Sequence, residues 1–74
     1  MMAEKLNLEQ LRKSAGLETW ELAEEAGVTT RFIQEAEGFK IPMALNKMNR
    51  VLDVLSKHHG RRIGVADVKD LKVI

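Results

Sequence analysis

Few of the side chains that do chemistry stand together in this chain. Its serines, Ser14 and Ser56, lack a histidine and an acid at a spacing that would activate a nucleophile, and there is no cysteine, tyrosine or glycine-rich phosphate loop. His58 and His59 are adjacent, and sequence neighbours point in different directions on a helix or turn, so they do not make a two-ligand metal site. No enzyme, metal or other cofactor is expected. What remains is charge. Residues 18–37 hold six acids (Glu18, Glu21, Glu24, Glu25, Glu35, Glu37) and one base, Arg31, a local net of −5, while the whole chain carries +1. The rest is therefore basic, and its cations include Lys5, Arg12, Lys13, Lys40, Lys47, Arg50, Arg61 and Arg62.

These groups must be positioned by a small scaffold. A chain of 74 residues buries only about 60% of the surface it exposes unfolded, so a large internal site is not expected. With no cysteine, neither disulfides nor a cysteine zinc site can staple it. Stability must come from helix packing or from a partner subunit. No apolar run approaches the roughly 18 residues of a membrane span, and the opening MMAEKLNLEQ lacks the apolar stretch of a signal peptide. A cytoplasmic location away from membranes is expected.

Periodicity and punctuation give five helices in a single domain, residues 1–74. The first starts at Asn7, whose side chain can cap it, with Gln10 where a capping box requires it; Leu8, Leu11 and Ala15 share a face, and Gly16 ends it. The second runs from about Thr19 to Ala26 with Leu22, Ala23 and Ala26 inward, stopped by Gly27. After a turn of about three residues the third begins beyond Thr29, a plausible cap, and carries Phe32, Ile33 and Ala36. The longest spans about residues 43–57, with Leu45, Met48, Val51, Leu52 and Leu55 as an apolar stripe and Met43 and Met48 filling the core. Residues 57–62 read as a polar connection, and Val65, Val68 and Leu71 suggest a short fifth helix over 64–74, appended to a core of residues 6–57. No strand signal is longer than residues 71–74.

The run LETWELAEEAGVTTRFIQEAE, residues 17–37, resembles the helix-turn-helix of the Cro/C1-type (phage repressor-like, XRE) family. Ala23 is small enough for two helices to approach, Gly27 makes the tight turn, and Val28 and Ile33 fill the angle between the helices. The resemblance extends from about Leu8 to Leu55. It implies an all-α, compact five-helix lambda repressor-like DNA-binding domain that acts as a sequence-specific transcriptional regulator. It also implies that residues 30–37 lie in the major groove of double-stranded DNA, and that a homodimer reads two half-sites. Carried over position by position, Thr29, Thr30, Arg31, Gln34 and Glu35 match the family's base-facing sites. An arginine suits guanine, a glutamine suits adenine, and a glutamate accepts from a cytosine amino group. Thr19, where the family usually has glutamine, and Lys40, in the following loop, match backbone contacts. Arg12 and Glu37 match an ion pair that ties the first helix to the third.

The outward face also departs from that pattern. It is acidic, and Trp20 and Phe32 occupy sites that are usually polar, while Phe39 replaces a loop glycine. Trp20 could be buried or exposed. If Trp20, Phe32 and Phe39 formed one exposed patch, the scaffold would serve as a protein-interaction module with weak or no DNA binding.

Overall fold

The computed structural model describes residues 5–38 and 41–74. Asn7 starts helix α1 (Leu8–Ser14): its Oδ1 accepts from the Gln10 N–H at 2.8 Å, and its own N–H donates to Gln10 Oε1 at 2.9 Å. The reciprocal pair satisfies two amide donors that the first turn leaves without partners. Helix α2 (Thr19–Ala26) is opened by Glu21, whose carboxylate accepts from the Glu18 N–H at 2.9 Å. It ends at Gly27, where φ is +71° and the Val28 N–H donates back to the Ala23 carbonyl at 3.0 Å. Only glycine takes that left-handed conformation without strain. Helix α3 (Thr30–Gly38) follows after three residues, capped by Thr29, whose Oγ1 accepts from the Phe32 N–H at 3.0 Å.

Helix α4 (Leu45–His59) runs two residues further than the expected end at 57. Lys57, His58 and His59 belong to its last turn rather than to a connection, and the Lys57 cation suits the negative end of the helix dipole. His59 Nε2 stands 2.9 Å from the Leu11 carbonyl oxygen. A carbonyl only accepts, so this nitrogen carries the proton, and the bond fastens the end of α4 to α1. The apolar stripe of α4 is Met48, Val51, Leu52, Val54 and Leu55. Leu45, expected in it, is 42% exposed, although Met43 before it and Met48 after it are both buried. Met43 is buried just before the helix, as its core assignment required.

The expected fifth helix over 64–74 is not formed. One 3-10 turn, Val65–Asp67, is followed by an extended tail in which Asp70 takes a φ of +62°. Val68 bridges to Leu6 and Val73 to Met43, both in parallel, with Lys69 N–H donating to the Leu6 carbonyl at 2.9 Å and Ile74 N–H to that of Met43 at 2.9 Å. Ladder bonds to distant segments thus replace the local bonds of a helix. Ser56 holds the entry to this tail: its hydroxyl donates to the Leu52 carbonyl at 2.7 Å and accepts from the Ile63 N–H at 2.9 Å.

One core joins these pieces, built on Leu11, Leu22, Ile33, Met48, Val51, Leu52 and Leu55, and it takes in Ile63 and Val68 beyond the expected 6–57. The radius of gyration is 11.2 Å, close to the ~11 Å of a compact chain this long. The chain is compact and all-helical, with no named strand among the described residues. Among them, no helix is long and apolar enough to cross a membrane.

Candidate functional site

The α2–α3 corner is closely packed. Leu22 and Ile33 are fully buried, Ala23 and Ala26 are nearly so, and Val28 packs against them from the turn. A larger side chain at 23 would push the helices apart, since interiors of this density have no spare volume. The inward stripe of α3 is therefore Ile33 with Ala36 and Phe32 partly covered. On its other side Arg31 and Gln34 are exposed, and Thr30 and Glu35 are half-buried.

Arg12 and Glu37 fix the far end of α3. Arg12 Nε donates to Glu37 Oε2 at 2.6 Å and Nη2 to Oε1 at 3.1 Å, a bidentate pair, while Nη1 donates to the Leu17 carbonyl at 2.8 Å. The two side chains are 9% and 8% exposed. One guanidinium thus ties α1, the α1–α2 loop and α3 together. The hydrogen bond that Arg12 donates to Glu37 raises the Arg12 pKa from its ordinary value, against the opposing effect of burial. With Thr29 capping one end and this pair holding the other, α3 presents its outward residues from a fixed frame.

The acids divide into separate duties. Glu37 is spent on Arg12, and Glu21 caps its own helix. Glu25 Oε1 stands 3.1 Å from His58 Nε2, a contact that ties α2 to α4. Glu35 Oε2 lies 3.4 Å from Arg31 Nε, one helical turn away on the outward face. Sequence reasoning weighed Arg31 and Glu35 singly, although their i,i+4 spacing is the signal for such a pair.

The aromatic residues do not share one fate. Trp20 is 58% exposed, whereas Phe32 is half-buried and packs against the core. Phe39 and Lys40 lie outside the described residues. Thr19, half-buried, is the first residue of α2, and Thr29 is an exposed cap. Exposed apolar surface also occurs at Ile41, Leu45 and Ile74, which sequence reasoning did not single out as exposed. A cleft of about 140 Å³ opens between residues 7–8, 36–38 and 69–71, well below the roughly 300 Å³ at which small-molecule pockets begin. Among the described residues no three His, Cys, Asp or Glu side chains are grouped to hold a metal. Compared with known proteins, the chain matches no family model and no curated sequence.

Proposed function

We propose that this chain binds double-stranded DNA as a sequence-specific regulator, with α2, the three-residue turn and α3 acting as a helix-turn-helix that lays α3 in the major groove. The observation that carries this reading is the outward row Thr30, Arg31, Gln34 and Glu35 on a helix braced at both ends. An α-helix with its side chains is about 10–12 Å across, and the major groove is about 12 Å wide. Rigid presentation matters because base contacts are short and directional. Arg12, which lies outside residues 18–37, is bonded to Glu37 and brings the local charge from −5 to −4, and Glu35 stands beside Arg31. Thr19, at the start of α2, and Lys40 are both assigned backbone contacts from the resemblance. A symmetric homodimer would let two such helices read two half-sites.

The exposure of Trp20 favours a second reading, a helix-turn-helix scaffold used to bind another protein. Salt separates the two. Each phosphate neutralised contributes about −0.9 to the slope of log affinity against log salt, so six contacts lose about a thousandfold between 50 and 200 mM. Anisotropy titration of a labelled duplex pool is expected to show that steep loss, and Arg31→Ala to weaken binding about tenfold. Absence of duplex binding at about 50 mM salt would leave the second reading.

A further inference from the structure

We infer that Arg31 and Glu35 act as one reading unit that selects a guanine next to a cytosine edge, a deepening that rests on the DNA-binding reading above. The carboxylate stands on the Nε side of the guanidinium, 3.4 Å away, and the Arg31 side chain is 84% exposed. A guanidinium engaged on its Nε side keeps its two terminal amino groups free, and that end of the fork matches O6 and N7 of guanine.

Glu35 has a part of its own. Its side chain is 33% exposed, enough for one oxygen to face outward beside the arginine. A carboxylate only accepts hydrogen bonds, and in the major groove cytosine N4 offers a donor where thymine offers an acceptor oxygen and a methyl group. Four residues along α3 rise about 6 Å, but the heads of the two side chains meet at 3.4 Å, which matches the roughly 3.4 Å between neighbouring base pairs. Adjoining pairs are therefore within reach of the two side chains. Arginine attracts guanine, and the acid repels the acceptor edges of thymine and guanine at the next position. Glu35 thus positions Arg31 and adds discrimination by penalty rather than affinity.

The test is a binding selection on a randomised duplex library, repeated for R31A, E35Q and E35A, with thermal melts to show that each variant folds. The unaltered chain is expected to prefer guanine at one position by about tenfold or more, with cytosine favoured over thymine beside it. R31A loses the guanine preference. E35Q, whose amide donates as well as accepts, loses the cytosine preference, and E35A additionally blurs the guanine preference. Base preferences unchanged in E35Q, with only a uniform gain in affinity, would overturn the inference while leaving DNA binding intact. A chain that binds duplex without any base preference also overturns it. No salt-sensitive duplex binding by the unaltered chain would overturn the DNA-binding reading itself.

Discussion

Arg12→Ala is expected to lower the unfolding free energy by about 3 kcal/mol or more, because it leaves Glu37 as a buried carboxylate without a counter-charge. The pair is less than a tenth exposed and its guanidinium also donates to the Leu17 carbonyl, so three backbone segments lose a shared anchor at once. In a domain of this size that corresponds to a fall of more than about 10 °C in Tm. Glu37→Ala strands the guanidinium in the same way. Replacing both, as in Arg12→Met with Glu37→Leu, is expected to recover much of the loss, since the cost lies in the unpaired charge more than in the missing attraction. Thermal and urea melts of the two single variants and the double variant check this; single variants within about 0.5 kcal/mol of the parent would show that the pair behaves like an exposed one. The pH dependence of this contribution follows from its sign. Arg12 is a base with a raised pKa, so the share of stability that comes from its own proton is complete below its ordinary value and is lost as pH rises through the raised one, in strong alkali.

Leu22→Ala is expected to cost about 2–5 kcal/mol, the range for deleting a fully buried leucine and leaving a cavity. Leu22 is 0% exposed, on the helix that packs against both α3 and α4. In a chain of 74 residues such a loss removes a large part of the total, which for domains is about 5–15 kcal/mol. Leu45→Ala provides the contrast. Its side chain is 42% exposed, so the change is expected to stay within about 0.5 kcal/mol. Denaturation midpoints measured side by side decide the matter; equal losses at the two positions would contradict the register of α4 described above.

That contrast marks where sequence patterns serve and where they mislead. Asn7 with Gln10, and Thr29 before α3, were legible because a cap is a bargain between residues three apart. Gly27 was legible because only one residue type suits its conformation. Leu45 keeps the spacing of the buried stripe but lies at its edge, and a stripe does not say how wide a face the core covers. The tail misled for a different reason. Val65, Val68 and Leu71 are spaced as a helix face, but the pairings that hold the tail, Val68 with Leu6 and Val73 with Met43, join segments far apart in sequence. Nothing local announces such pairing. The Arg12–Glu37 pair followed from the family resemblance alone, whereas the Arg31–Glu35 pair lay open in its spacing. The bond from His59 to the Leu11 carbonyl had no sequence signal at all, since a backbone acceptor is present at every residue.

The claim that the outward face of α3 meets DNA is tested most directly by adding a short duplex, selected for binding, to the isotopically labelled chain and following its amide resonances. Shifts concentrated at Thr29, Thr30, Arg31, Gln34 and Glu35, with smaller ones at Thr19, are the predicted result. Shifts that leave α3 untouched, or none at low salt, would contradict it.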